Sequence, residues 1–133
     1  DGYIDLTAEK IRIYKELDSI SNEKDLDIMK GKLTDRFGKI PVELERLFDI
    51  VRIRQLGVKL GFEKIIIKNG VLIAFFISNP LSQYYKSDRF SKILEHLSVH
   101  QHLFEIKQPD NRLRIVVRNV DSISKAYEIL KKL

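Results

Sequence analysis

Apolar residues recur at every third or fourth position through the first half of the chain, which predicts three amphipathic helices. We expect them at residues 7–19, 22–38 and 41–60, with Gly61 ending the third. The third is apolar over more than one stripe, so we expect it to be buried on two sides. The residues predicted to be buried are Ile11, Tyr14, Leu17 and Ile20 in the first helix, Leu26, Met29, Leu33 and Phe37 in the second, and Leu44, Leu47, Phe48, Ile50, Val51, Ile53, Leu56, Val58 and Leu60 in the third.

Capping residues mark where these helices begin and end. Thr7 is placed to cap the first helix. Asn22 can cap the second, and Asp25 follows in a capping-box-like position. Gly38 ends the second helix, since glycine adopts the left-handed conformation found at helix C-termini. Pro41 suits the first turn of the third helix, where its missing N–H costs nothing.

A β-hairpin is the strongest local prediction in the second half. Residues 64–68 and 71–78 flank Asn69-Gly70, a pair that accepts the positive φ angles of a type I′ turn. Pro80 then breaks the second strand. The chain therefore changes from helical to β structure soon after the third helix.

The remaining elements are a helix, a second hairpin and a final helix. The helix is expected at 88–99, and the hairpin pairs residues 103–107 with 112–118 around Pro109-Asp110-Asn111. Asp121 or Ser122 caps the last helix. The predicted order is three helices followed by ββαββα.

Length and composition limit what this order can build. A chain of 133 residues has the size of one ordinary domain, and 44% hydrophobic residues suffice for a core. We predict an α+β fold in which three helices pack against a mainly antiparallel sheet. Residues 1–133 are expected to form a single domain, helical at about 7–60 and sheet-containing at about 62–133.

Composition also excludes several classes of protein. The chain has no cysteine, which rules out disulfides, cysteine-ligated zinc and thiol catalysis. Its longest apolar run, residues 71–77, is far shorter than the roughly 20 residues of a membrane-spanning helix. No secretory signal precedes the first helix, so we expect a cytoplasmic protein. The first residue is Asp1, which suggests a piece of a larger protein.

The net charge is uneven along the chain: residues 1–60 hold equal numbers of acidic and basic residues, so the whole +5 lies after Leu60. Arg112, Arg114 and Arg118 share one face of a predicted strand, and Leu113, Ile115 and Val117 share the other. The arginines could contact phosphates or an acidic protein, or they could form the solvated outer face of an edge strand. A nucleic-acid-binding module that uses the second hairpin is therefore an alternative function.

Catalytic and metal-binding signatures are weak. His96 and His100 could share an ion across one helical turn, and His102 follows, but no further ligand is specified. Histidines near a helix C-terminus are also favoured electrostatically without any metal. The chain lacks a glycine-rich phosphate loop, a Gly-x-Ser-x-Gly elbow and a His-Glu-x-x-His pair. We expect no enzymatic activity in this domain and no bound metal.

The segment at residues 33–41 is the most distinctive. It combines a helix end, a tight connection and a proline-started helix, and it places Asp35 and Arg36 at a surface helix end. The pair could satisfy local backbone and dipole groups, or it could bind a partner. The segment resembles the C-terminal (TRCF) domain of bacterial transcription-repair-coupling factors, which share its motif Leu-x-Asp-Arg-Phe-Gly-x-x-Pro and the flanking segments Ile13-Tyr14-Lys15-x-Leu17 and Lys59-Leu60-Gly61-Phe62-x-Lys64.

The resemblance, dense from Tyr3 to about Lys64, implies a role in regulation. The parent would be an ATP-dependent DNA translocase that displaces stalled RNA polymerase and recruits the excision-repair protein UvrA. ATP and magnesium would belong to its motor, with no cofactor in this domain. The domain would dock on the parent's own UvrB-like N-terminal module through Asp35 and Arg36, cover the surface that UvrA uses, and restrain the motor.

Three residues depart from the pattern that the resemblance implies. Lys32 stands where members usually have glutamate, so at least one docking ion pair would have reversed sign. Lys10 replaces an arginine and loses bidentate geometry. Asp5 stands where a proline is expected soon after Tyr3-Ile4.

Overall fold

The computed structural model describes residues 7–133, without the side chains of residues 7, 8 and 10. The predicted cap Thr7, the segment at Tyr3-Ile4-Asp5 and the Lys10 side chain therefore lie outside what is described. The element order confirms the predicted α+β fold: α1 (Thr7–Ser19), α2 (Glu23–Phe37), α3 (Val42–Leu60), β1 (Phe62–Lys68), β2 (Val71–Phe76), α4 (Asp88–Val99), β3 (Glu105–Lys107), β4 (Arg114–Arg118) and α5 (Ile123–Lys131).

The chain divides into two compact units, the first ending at Gln55 and the second beginning at Leu56. The division falls within α3. Two 3₁₀ turns complete the second unit: Pro109–Asn111 coincides with the predicted turn of the second hairpin, and Gln83–Lys86 was not predicted. Among residues 7–133, no helix is both long enough and apolar enough to cross a membrane.

The first unit has an all-helical core. Leu26 and Phe48 are fully buried in it, and Ile13, Leu17 and Val51 are nearly so. The core confirms most of the stripes predicted for α2 and α3, because these apolar residues face one another across the unit. Its other buried members are Met29, Leu33, Ile40 and Leu44.

Four predicted core positions are wrong. In α1 the buried ridge runs through Ile13 and Leu17, and Ile11 and Tyr14 are about half exposed. Both ridges are apolar at helical spacing, and the packing of neighbouring helices selects between them. In α3, Ile50 is half exposed and Val58 is 75% exposed, so the apolar arc of this helix is wider than its buried arc.

The predicted cap of α2 is confirmed in detail. The Asn22 side chain accepts a hydrogen bond from the Asp25 backbone N–H at 2.8 Å, and its amide donates to the Asp25 carboxylate at 3.0 Å. At the other end, Gly38 has a φ of +89° and its N–H donates to the Thr34 carbonyl. Arg52 of α3 donates to Glu23 at 2.8 Å, which ties α3 to the first turn of α2.

The second unit contains a four-stranded antiparallel sheet in the order β1-β2-β4-β3. Asn69 and Gly70 both have positive φ, which confirms the predicted turn between β1 and β2. The second hairpin is shorter than predicted, since β3 has three residues and β4 begins at Arg114. Asp110 and Asn111 turn with positive φ, which keeps Arg112 and Leu113 outside the regular strand.

The two faces of this sheet differ in burial. Leu72, Ala74 and Ile115 on one face are fully buried, and the Phe76 ring meets Phe90 of α4 edge-on at 5.5 Å. The opposite face carries the predicted arginines but also Val116, which is only 5% exposed. The strand is thus apolar on both sides at its centre, and the prediction of one buried and one solvated face is wrong there.

Tyr84 links the last residue of α3 to the 3₁₀ turn before α4. Its hydroxyl donates to the Leu60 carbonyl at 2.5 Å, and its ring packs 5.4 Å from that of Phe90. Tyr85 beside it donates to the Ile77 carbonyl. The two tyrosines are therefore partly buried, and each donates a hydrogen bond to a backbone carbonyl.

We expect alkaline pH to destabilise the chain through Tyr84. Burial, with a smaller contribution from Tyr85, raises the pKa of Tyr84 to about 12, because the neutral phenol is favoured in the folded state. The stabilisation is therefore complete below the unfolded pKa of about 10 and is lost as the pH rises through about 12. Urea denaturation gives the free energy of unfolding at each pH. At neutral pH this free energy should be lower for Tyr84→Phe than for the unsubstituted chain, and the difference between the two should decrease above about pH 10.

Tyr127→Phe provides the control for this titration. Tyr127 is partly buried in α5, so this variant tests whether loss of the hydroxyl from any partly buried tyrosine reproduces the result for Tyr84→Phe. If the free energies of unfolding of Tyr84→Phe and the unsubstituted chain differed by the same amount at every pH, Tyr84 would not be the cause of the alkaline loss of stability.

Candidate docking site at the end of helix α2

Asp35 and Arg36 lie in the last turn of α2, and both are exposed. Lys32 is exposed one turn earlier, so it shares a face of the helix with Asp35 and Arg36. Gly38 ends the helix immediately after them. The local sequence therefore presents an acid and two bases on one exposed helix end.

Glu9 of α1 holds the Arg36 side chain in place. One Glu9 carboxylate oxygen lies 3.0 Å from Arg36 Nη1, and the other lies 3.2 Å from Arg12 Nη1. The Glu9 side chain is only 13% exposed, and that of Arg36 is 63% exposed. The Arg36 guanidinium also lies 4.9 Å from the centre of the Phe37 ring. One end of Arg36 is thus anchored while much of its surface faces solvent.

A cavity of about 500 Å³ opens between α1 and α2 beside this anchor. Ile13, Ile20 and Met29 contribute its apolar lining, and Lys32 and Arg36 lie at its charged margin. Three acidic and three basic side chains line the cavity, which favours a partner held in one register over attraction by net charge alone. The arrangement suits contact with a protein surface.

The three arginines predicted on one face of β4 do not form a free row. The Arg112 and Arg114 guanidinium groups each lie 5.3 Å from the centre of the Phe75 ring, and both side chains are partly buried. Arg118 is exposed, but its Nε lies 2.6 Å from the Glu105 carboxylate. The predicted display of three exposed guanidinium groups is therefore wrong for two of them.

The histidines lie near one another at the end of α4. The ring centres of His96 and His100 are 4.4 Å apart, and those of His100 and His102 are 6.3 Å apart. Burial, then His100 and Lys132, lower the pKa of His96, so its neutral form is favoured. Within residues 7–133, no group of three or more histidine, cysteine or acidic side chains could hold a metal ion.

Sequence reasoning missed Glu9 and Phe75. Glu9 is 27 positions from Arg36, and no local motif connects them. Phe75 could have been found, because the Asn69-Gly70 turn sets the register that pairs it with Lys64.

Comparison with known proteins agrees with this architecture. The family model described as the TRCF domain matches residues 1–87. The transcription-repair-coupling factors of Rickettsia conorii and Rickettsia typhi are 34% identical over 122 residues and 33% identical over 132 residues, covering 91% and 98% of this chain. That of Escherichia coli is 37% identical over 65 residues, or 49% of this chain. The chain spans about a tenth of the length of the Rickettsia proteins, at 10% and 11%, and 6% of the Escherichia coli protein.

A solved structure shares the fold. The crystal structure of a C-terminal domain of transcription-repair coupling factor superposes with a TM-score of 0.75 and 24% identity, covering 98% of this chain and 77% of that one. The family resemblance drawn from the motif at residues 33–41 is confirmed by the family match. This chain belongs to the TRCF domain family.

Proposed function

We propose that this chain is the regulatory C-terminal module of a transcription-repair-coupling factor and docks on the UvrB-like N-terminal module of the same protein. The observation that carries the proposal is the exposed Asp35-Arg36 pair, with Arg36 anchored by Glu9 beside an apolar cavity. Membership of the TRCF family supports it. The site offers ion pairs and an apolar surface, which are the components of a protein interface.

The docked module would act by coupling two arrangements of the parent. In the docked arrangement the module covers the surface that UvrA uses and restrains the motor. In the released arrangement that surface is open to UvrA and the motor is unrestrained. Engagement of stalled RNA polymerase would shift the balance toward release, because a ligand that favours one state changes its population. The parent would be a cytoplasmic ATP-dependent DNA translocase. The module itself would contribute no chemistry, and ATP and magnesium would belong to the motor.

Lys32 sets a requirement on the docking partner. Its ammonium group shares the exposed helix face with Asp35 and Arg36. The glutamate that the family resemblance implies at this position would pair with a base. The N-terminal module that matches this chain should therefore present an acidic group opposite Lys32, since like charges across an interface cost several kcal/mol.

Calorimetric titration tests the proposal directly. The chain is titrated with the parent's UvrB-like N-terminal module and, separately, with a short DNA duplex at two salt concentrations. We expect saturable binding to the module, no binding to the duplex and no ATP hydrolysis by the chain alone. Binding to DNA alone, lost at higher salt as phosphate contacts release counterions, would overturn the proposal and favour a nucleic-acid-binding role.

A further inference from the structure

The second unit has a sheet face that is distinct from the α2 docking site, and its middle is apolar. Ile66 of β1 pairs with Ile73 of β2, which pairs with Val116 of β4, so these three side chains form one row across three strands. Val116 is buried, and Ile66 and Ile73 remain partly exposed. We call this surface the open sheet face, defined by this row and the two rows beside it.

Basic residues occupy the rows on either side. One row places Lys64 and Arg114 on either side of Phe75, and the other places Lys68 and Arg118 on either side of Val71. A partner that covers the apolar middle row must therefore come close to positive charge at both edges. Lys64, Lys68 and Arg114 form no ion pair with any described residue. The two lysines are exposed, whereas Arg114 is partly buried beside Phe75 and contributes positive charge to the face without an acidic partner.

The acidic residue of β3 only partly offsets this charge. Glu105 pairs across the strands with Val116, and its carboxylate lies 2.6 Å from Arg118 Nε and 3.5 Å from Lys107 Nζ. The hydrogen bond from Arg118 lowers the pKa of Glu105, which keeps the carboxylate ionised within that cluster. The opposite edge, with Lys64 and Lys68 on β1, has no comparable acid in the same rows.

The chemistry of the face favours protein over nucleic acid. Binding of single strands relies on aromatic rings with free faces on which bases stack. The one aromatic ring in these rows, Phe75, is already covered by Arg112 and Arg114 at 5.3 Å and by Lys64 at 5.7 Å. The middle row is aliphatic and offers hydrophobic contact without stacking.

We propose that the open sheet face docks an acidic protein segment that presents carboxylates and aliphatic side chains in turn on one and the same side. Two spacings between three strands and a rise of four residues along the strand give a surface of about 10 Å by about 14 Å, which one short segment can cover. The aliphatic groups lie along the Ile66-Ile73-Val116 row, and the carboxylates reach Lys64, Lys68 and Arg114. This face would bind its partner independently of Asp35 and Arg36.

Binding of labelled model peptides tests this inference. The probe is a short peptide that repeats two glutamates and two leucines, so that an extended chain shows both kinds of side chain on each side, and its counterpart has lysine in place of glutamate. Amide shifts of the isotope-labelled chain should change along β1, β2 and β4 with the acidic peptide only. The double variant Lys64→Glu, Lys68→Glu should weaken that binding about tenfold or more, because two carboxylates that repel the acidic peptide replace two ammonium groups that attract it. Ile73→Thr, which keeps a strand-favouring residue, should also weaken it.

Arg89→Glu with Lys92→Glu is the matched control. Both residues are exposed on α4, and the change in charge is the same. The dissociation constant of this control for the acidic peptide should lie within about twofold of that of the unsubstituted chain. Three results would overturn the inference: no binding of the acidic peptide, equal weakening in the control, or tighter binding of a short oligothymidine that is lost in the Lys64→Glu, Lys68→Glu variant.

Discussion

Replacing Gly61 with alanine is expected to lower the free energy of unfolding by about 4 kcal/mol, one of the largest effects available to a single methyl group. Gly61 follows α3 with a φ of +96°, where a side chain is strained whatever the space around it. A Cβ at this position would lie 2.1 Å from Tyr84 Cε1 and 2.2 Å from Tyr84 Cζ. Urea denaturation followed by circular dichroism measures the loss.

The cost has several parts because Tyr84 must move. Displacing its ring breaks the hydrogen bond to the Leu60 carbonyl and disturbs the packing against Phe90. Backbone strain in the left-handed region adds roughly 1–2 kcal/mol. A lost buried hydrogen bond adds about 1 kcal/mol. Disrupted aromatic packing accounts for the remainder.

Gly31→Ala is the natural control, since it makes the same chemical change with the opposite expected sign. Gly31 lies within α2, and nothing is within 4 Å of a Cβ built there. Alanine should stabilise the helix by roughly 0.5–1 kcal/mol. If Gly61→Ala were as harmless as Gly31→Ala, the contact between Gly61 and Tyr84 would be incorrect.

Changing Asp35 and Arg36 together to alanine should weaken docking on the N-terminal module about 100-fold. Truncating one member of a buried interface charge pair leaves the partner's charge unpaired, and the penalty appears mainly in the dissociation rate. Titration calorimetry gives the equilibrium constant, and surface plasmon resonance gives the rates. The fold should be retained, because both side chains are exposed.

The chain contains its own control for this experiment. Asp88-Arg89-Phe90 repeats the Asp-Arg-Phe sequence, with Asp88 and Arg89 both exposed, but at the start of α4 instead of the end of a helix. Asp88→Ala with Arg89→Ala should leave docking unchanged. Equal weakening in both double variants would show that general charge, and not the α2 site, governs binding; normal binding by the Asp35, Arg36 variant would remove those residues from the interface.

The features that sequence predicted well depend on residues close together in the chain. Asn22, Ser87 and Ser122 each accept a hydrogen bond from a backbone N–H three residues later, and such caps are visible in the sequence. The Asn69-Gly70 turn likewise fixes the register of β1 and β2. These local signals placed the ends of most elements to within about two residues.

The features that sequence did not predict depend on tertiary packing. The choice of Ile13 over Ile11 for the core of α1 is made by α2 and α3, and both residues satisfy helical periodicity. β3 is shorter than expected because Phe104 is buried beside His96 of α4 and pairing with β4 begins only at Glu105. The apolar Ile106 of β3 remains 53% exposed. At the candidate site, the sequence indicated Asp35 and Arg36 but not the Glu9 that positions Arg36.

The Glu9 anchor affects how quickly and how tightly a partner can engage Arg36. A free arginine on a surface explores many rotamers, and fixing one such side chain on binding costs roughly 0.5–1.5 kcal/mol. Because Glu9 already restricts Arg36, and Phe37 supports its guanidinium, most of that ordering is complete before any encounter. A partner meets a preorganised contact, so this unit can engage as a rigid body and recognise by shape as well as by charge.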